Sequence, residues 1–203
     1  MAGREYSVAD ITVLDFDEHV RKRPGMYFGV ALGDPRLPTQ VLSAVAGHVA
    51  HPAASVAEVH SLSAGIDIVG DLCLRVTVDQ PHAWQDAPAL GYFGSLLGPE
   101  WWQPAAAAAL CEKASVEMWR DGRGFRQDLA GLRPVSEVEV FDPPTGSGTR
   151  MTFTLDPRDL RPGAAFPADL EGIDVHGPYC DAAHGPGRII LRDHRHGTSR
   201  RCR

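Results

Sequence analysis

Two charged side chains stand out in this sequence because their neighbours along the chain are apolar or aromatic. Arg75 is the one basic residue of an alternating segment at residues 72–79, and Glu100 lies between Pro99 and Trp101. A guanidinium suits bidentate binding of a carboxylate, and a carboxylate beside aromatic rings suits proton transfer. The pair predicts a site for a small molecule that carries a carboxylate and exchanges protons as it reacts.

Each of these two residues also has a simpler interpretation. Arg75 could pair with Asp79 or Glu58 on a solvated face of a sheet, where ion pairs contribute little. Glu100 could cap the helix that follows it and face water. The sequence leaves both alternatives open.

An aromatic loop precedes and includes Glu100. Its aromatic and imidazole side chains are His82, Trp84, Tyr92, Phe93, Trp101 and Trp102. Packing in the core accounts for some of them, because aromatic rings bury large areas. Beside an Arg and a Glu, a loop of this composition predicts a pocket for a flat amphoteric molecule such as an aromatic amino acid. We assign His82, Tyr92, Trp101 and Trp102 to substrate binding.

The composition is that of an ordinary folded domain. The chain has 203 residues, 43% hydrophobic and 23% charged, with a net charge of −6. These values favour one domain over residues 1–196 with a basic, mobile tail at 197–203, and they argue against a nucleic-acid partner. No apolar run is long enough to span a membrane, and the first residues lack the apolar core of a signal peptide. We expect no membrane association and a cytoplasmic location.

The cysteines and histidines offer only a weak metal signal. Four cysteines lie far apart without a CxxC pair, which favours reduced thiols. The spacing of His176, Cys180 and His184 could hold a metal ion, but the intervening Gly and Pro are typical of a loop. We predict no metal.

The hydrophobic pattern predicts two helices before a sheet. The helices are expected at residues 14–22 and 38–49, and a third at 105–113. Strands are expected at 58–63, 72–79, 115–119, 125–129, 136–141, 149–155 and 188–193. In the segment 72–79, Leu74 and Val76 share one face, whereas Arg75 and Thr77 share the other.

Several motifs resemble the ATPase domain of gyrase B and topoisomerase IV, a member of the GHKL family. The run VRKRPGMY at residues 20–27 matches the opening signature of that domain at nearly every residue. The runs MWRDGRGFRQ (118–127), TGSGTRMTF (145–153) and RIILRDHRHG (188–197) resemble later elements in the same order. The resemblance implies an α/β fold of the α+β sandwich type, a GHKL-like mixed sheet packed against helices, with the ATP lid replaced by the aromatic loop. It also implies that the Arg75 face of its strand looks into the ligand cleft.

The residues that bind ATP and Mg²⁺ in that family are not present at the matching positions. Ser43 and Gly47 stand where the resemblance places the acidic residue and the Asn, with Ala46 and Ala50 beside them. Residues 78–82 lack the glycines of the adenine motif, and GPEWWQP at 98–104 replaces the phosphate loop. The run Asp121-Gly-Arg-Gly is interpreted as a hairpin turn. The resemblance therefore implies a domain that is not an ATPase.

A second resemblance concerns the site. Arg75 and Glu100 resemble the carboxylate-binding arginine and catalytic glutamate of bacterial β-carboline synthases, and Thr198 resembles a substrate contact. Those are homodimeric Pictet-Spengler enzymes that condense L-tryptophan with an α-ketoaldehyde. The resemblance implies the same reaction here, in a homodimer and without a cofactor. The alternatives are a non-catalytic dimerisation or regulatory module and a domain that still binds another small molecule or nucleotide.

Overall fold

The structure is a computed structural model that describes residues 13–50, 62–80, 82–173 and 187–202. Within these ranges the chain forms four helices and a single sheet, and the third and fourth helices pack on the sheet while the first two pack against them. The helices are α1 (Phe16–Lys22), α2 (Gly25–Phe28), α3 (Leu37–Ala50) and α4 (Trp102–Ala109). The helices predicted at 14–22 and 38–49 are confirmed as α1 and α3. None of the described helices is long and apolar enough to cross a membrane.

The described part of the sheet has nine strands. They are β1 (Leu62–Gly70), β2 (Cys73–Val78), β3 (Cys111–Arg120), β4 (Arg123–Ala130), β5 (Arg133–Pro134), β6 (Glu139–Phe141), β7 (Ser147–Leu155), β8 (Gly187–Asp193) and β9 (Thr198–Cys202). Their order is β5-β4-β3-β7-β2-β1-β8-β9, and β6 also pairs with β4. All pairs among these strands are antiparallel except β1 with β8. The predicted α+β sandwich of a GHKL-like mixed sheet on helices is confirmed.

The two faces of the sheet differ in polarity. On β2, Leu74, Val76 and Val78 are fully buried under the helices, and Met151 and Phe153 of β7 continue this apolar layer. Arg75 is exposed on the opposite face. The alternation predicted for residues 72–79 is therefore confirmed. The resemblance places the nucleotide beside α3 and the start of α4, whereas Arg75 lies on the face that the helices leave uncovered, so the Arg75 face does not look into that cleft within one chain.

Several boundaries differ from the sequence-based predictions, and two of these differences have a physical reason. The helix predicted at 105–113 ends at Ala109, because the chain enters the sheet at Cys111, which pairs with Leu155. The strand β1 was not predicted beyond residue 63, because its glycines and Asp67 weaken the strand signal. Of the strand expected at residues 58–63, residues 58–61 lie outside the described residues.

The largest difference from the sequence-based prediction concerns residues 197–203. Residues 197–203 were expected to be mobile, but Thr198–Cys202 form β9 and pair with β8. The Arg200 Nη1 atom also donates to the carbonyls of Leu170 at 2.6 Å and Glu171 at 2.7 Å. A polar, arginine-rich segment can form a strand when the edge of a sheet supplies its backbone partners.

Candidate functional site

A cavity of about 370 Å³ opens between the aromatic loop and the sheet. This volume lies within the usual range for small-molecule pockets. The lining residues are His82, Ala83, Trp84, Pro88, Ala89, Leu90, Leu96, Gly98, Pro99, Glu100, Trp101 and Met118. Most of these side chains are apolar or aromatic, and Glu100 is the acidic residue among them. The cavity suits a flat molecule that presents a polar group to one carboxylate.

The Glu100 carboxylate is available for chemistry. Glu100 lies in the short 3-10 turn Pro99–Trp101 that leads into α4, and it is exposed at the rim of the cavity. Its Oε2 would be 3.1 Å from a Cβ atom at Gly98, so the absence of a side chain there leaves room for the carboxylate. Neither helix start has a side-chain cap, and within the described residues the carboxylate forms no hydrogen bond or ion pair. Glu100 therefore faces solvent but does not cap the helix.

The loop that carries this turn is closed by two glycines. A Cβ atom at Gly91 would be 2.1 Å from Cα of Gly98 and 2.5 Å from the Leu97 carbonyl oxygen, so the two backbone segments touch. Backbone hydrogen bonds of 2.7 Å from Gly91 to Ser95 and 2.9 Å from Tyr92 to Leu97 fasten the loop. These close contacts set the position of Gly98 and so of the Glu100 carboxylate beside it.

Tyr92 does not line the cavity, although the charge of Glu100 acts on it. Its ring stacks on Phe16 of α1 with centroids 4.3 Å apart. Partial burial raises the pKa of Tyr92, and electrostatic repulsion by ionised Tyr27 and by Glu100 would raise it further. Tyr92 is thus a neutral phenol, and because it does not line the cavity its predicted contact with a substrate stays a prediction.

The two tryptophans have different roles. Trp101 is 6% exposed and forms part of the cavity wall. Trp102 is 42% exposed, packs beside Tyr27 with ring centroids 6.4 Å apart, and does not line the cavity. Of this predicted pair, only Trp101 can contact a molecule inside the cavity.

His82 lines the cavity but is held by the sheet. Its Nε2 lies 2.8 Å from the Gly148 carbonyl oxygen and 2.9 Å from Thr149 Oγ1, so this nitrogen carries a proton and donates. Gln80 donates to Nδ1 at 3.5 Å. The ring is 1% exposed and packs against Trp84 with centroids 5.2 Å apart. These contacts make His82 a fixed part of the cavity wall.

Arg75 lines a different cavity, of about 560 Å³, on the opposite face of the sheet. The residues around it are Asp67, Thr77, Ser115, Glu117, Arg150 and Thr152. Arg75 lies opposite Asp67 on one side and Thr152 on the other. The structure does not bring Arg75 and Glu100 together within one chain.

The other charged residues that line this cavity are paired. Arg150 Nη1 lies 2.8 Å from Glu117 Oε2. Asp67 accepts from Arg192 Nε at 2.5 Å and His194 Nε2 at 2.9 Å. Burial alone would raise the pKa of Asp67, but the hydrogen bonds and positive charges of Arg192 and His194 together lower it.

Arg75 itself forms no hydrogen bond or ion pair in the part of the chain that the structure describes. Its predicted alternative partner Asp79 accepts from the Ser63 backbone N–H at 2.5 Å instead. The other alternative, Glu58, lies outside the described residues. The guanidinium is therefore available to a ligand or a partner, although not to the Glu100 cavity of its own chain.

Two further predictions are Thr198 as a substrate contact and a metal site at His176, Cys180 and His184. Thr198 is exposed at the start of β9, opposite Asp193, and lines neither cavity. His176, Cys180 and His184 lie outside the described residues. Among the residues that are described, no group of three His, Cys, Asp or Glu side chains is arranged to hold a metal ion.

Sequence comparisons relate this fold to known proteins. No protein-family model matches the chain. The B subunit of DNA topoisomerase 4 from Caulobacter vibrioides is 31% identical over 192 residues, which cover 83% of this chain and 27% of that protein. The novobiocin-resistant B subunit of DNA gyrase from Streptomyces niveus is 30% identical over 173 residues, 74% of this chain and 25% of that protein.

The chain is similar to gyrase and topoisomerase B subunits. It spans about a quarter of the length of these relatives. Together with the mixed sheet packed on helices, this distant similarity supports a GHKL-type, ATPase-like domain. Neither relative is a β-carboline synthase, so that resemblance stays a prediction.

The contact between Gly91 and Gly98 gives a direct test of how the site is built. We expect Gly91→Ala to cost about 1–3 kcal/mol or more, because its Cβ meets rigid backbone rather than a side chain that can move. Gly172→Ala is the matched control, since a Cβ there has no neighbour within 4 Å. It should change stability by less than about 0.5 kcal/mol. Urea unfolding followed by tryptophan fluorescence measures both, and equal stability of the two variants would contradict the described loop.

Proposed function

We propose that this chain is a gyrase B-like domain that has exchanged ATP for an aromatic substrate and catalyses a Pictet-Spengler condensation of L-tryptophan with an α-ketoaldehyde. One observation carries the proposal. The Glu100 carboxylate, without a partner among the described residues, lies at the rim of an open cavity walled by Trp84 and Trp101. A filled cleft would instead favour a regulatory or dimerisation module.

The proposed chemistry needs a positioned base and a flat apolar wall. The tryptophan amine condenses with the aldehyde carbonyl to an iminium ion and releases water. Indole C2 then forms a bond to the iminium carbon, and loss of the C2 proton restores the aromatic ring. Glu100 would accept that proton, while Trp84 and Trp101 hold the indole plane. The reaction requires no metal and no cofactor.

The same features disfavour Mg-ATP. The helix α3 contains no Asp, Glu or Asn, so it lacks the acidic and Asn side chains that the resemblance requires for Mg²⁺. Glu100 places a negative charge beside the start of α4, where the resemblance locates the phosphates. A carboxylate at that position repels a triphosphate.

The carboxylate of tryptophan must be held by a cation. No Lys or Arg is among the described residues that line the Glu100 cavity. Arg75 is the predicted carboxylate ligand, it is exposed, and it faces away from the cavity of its own chain. We therefore propose that the enzyme is a homodimer in which Arg75 of one protomer completes the Glu100 cavity of the other.

A nucleotide assay tests the loss of ATP binding. We expect the purified protein neither to hydrolyse ATP nor to bind Mg-ATP at millimolar concentration, because the metal ligands and glycine-rich loops are replaced. Phosphate release and calorimetric titration measure this, with heat-denatured protein as the blank. Magnesium-dependent turnover above the blank would overturn this part of the proposal.

The role of Glu100 is tested by an isosteric change. Glu100→Gln keeps the size of the side chain and removes its basicity, so kcat should fall by about 10²- to 10⁴-fold. The melting temperature should stay unchanged, because the carboxylate has no partner in the described structure to lose. Glu137→Gln, at an exposed glutamate far along the chain from the site, is the control and should retain full activity. Product formation is followed by mass spectrometry, and a wild-type rate in the Glu100 variant would exclude it as the proton-transfer residue.

Mixing two inactive variants tests whether the site is shared between protomers. Arg75→Ala and Glu100→Gln should each be inactive alone, and unfolding them together and refolding should restore about a quarter of the wild-type activity. Heterodimers make up about half of a random mixture, and each has one complete site of its two. The same variants mixed without unfolding are the control. If Arg75 and Glu100 acted within one chain, no activity would return.

A further inference from the structure

The imidazole of His48 contacts the residue that carries the proposed catalytic carboxylate. His48 lies near the end of α3, and its Nε2 is 3.0 Å from the backbone oxygen of Glu100. A carbonyl oxygen only accepts hydrogen bonds, so Nε2 carries a proton and donates. The imidazole also lies 6.0 Å from the ring of Trp101 and 6.3 Å from that of Trp102. His48 thus joins α3 to the turn Pro99–Trp101.

The sequence of α4 explains why this carbonyl accepts from a side chain. In an α-helix, the carbonyl of residue 100 would accept from the backbone N–H of residue 104. Residue 104 is Pro, which has no N–H, so this helical bond cannot form. The imidazole of His48 supplies a donor to the carbonyl that Pro104 leaves without its helical partner.

We propose that His48 is a positioning residue for Glu100. By holding the Glu100 carbonyl, it sets the direction in which the side chain of Glu100 leaves the backbone. The carboxylate passes close over Gly98, so a rotation of this peptide would move it away from the cavity. His48 is not among the described residues that line the cavity, so it acts through Glu100 and not on the substrate. The inference rests on the proposed function of Glu100 as the proton-transfer residue.

A pair of amide variants isolates the hydrogen bond. Gln at position 48 carries an N–H donor at about the reach of the imidazole Nε2, whereas Asn is too short to contact the Glu100 carbonyl. His196→Gln, at an exposed histidine near β9, is the control for replacing a histidine. We expect His48→Asn to lower kcat by about 10- to 100-fold with little change in KM for tryptophan, because the base is displaced and the cavity wall is intact. His48→Gln should recover most of this loss.

A second measurement needs no activity. The Trp101 amide donates to the Gly98 carbonyl at 2.9 Å inside the same turn. Its hydrogen exchange, measured by NMR, should be about 3- to 10-fold faster in His48→Asn than in the wild type, and close to wild type in His48→Gln.

The two measurements separate failure of the inference from failure of the proposed function. A wild-type protein that forms no product contradicts the proposed function, and the exchange rates then decide whether His48 holds the turn. Equal exchange in the Asn and Gln variants overturns the inference. With an active wild type, an unchanged kcat in His48→Asn, or an equal loss of kcat in both variants, also overturns it.

Discussion

The burial of one face of the sheet is the constraint on which the rest of this structure depends. Leu74 and Val76 of β2 and Phe153 of β7 are fully covered by the helices, and apolar burial of this kind is the main driving force for folding. Because side chains alternate along a strand, this burial directs Arg75 to the opposite face. The position of the proposed carboxylate ligand thus follows from the packing of its neighbours.

In the aromatic loop, close backbone packing rather than apolar burial positions Glu100. The shape of the loop depends on direct contact between the backbones of Gly91 and Gly98, and only glycine fits at position 91 because a Cβ there would overlap the Gly98 backbone. The loop leaves a cavity with one carboxylate at its rim, whereas a nucleotide site in this fold would need metal ligands and free backbone N–H groups. Under the proposed function, the fold of a gyrase B-like domain is retained while the chemistry of its cleft changes, because function depends on the residues of the site.

Much of the fold could be predicted from local sequence. The apolar spacing in α3 and the alternation in β2 both reflect burial on one side, and both predictions are confirmed. The strand β9 could not be predicted, because its polar and basic residues have no strand pattern and pair only where β8 offers an edge. The end of α4 was also missed, because nothing in a run of alanines marks the point at which Cys111 joins β7.

The sequence by itself determined which side chains could perform chemistry, namely an arginine among apolar residues and a glutamate beside tryptophans. It also determined that Arg75 and Leu74 would lie on opposite faces, because the period of a strand is local. Only the tertiary structure decided which of those faces the helices would cover, and so that Arg75 and Glu100 are separated by the sheet. That choice depends on contacts between segments far apart in the chain, which local spacing does not encode. The hydrogen bond from His48 to the Glu100 carbonyl, which the missing N–H of Pro104 leaves without its helical partner, is also a long-range contact.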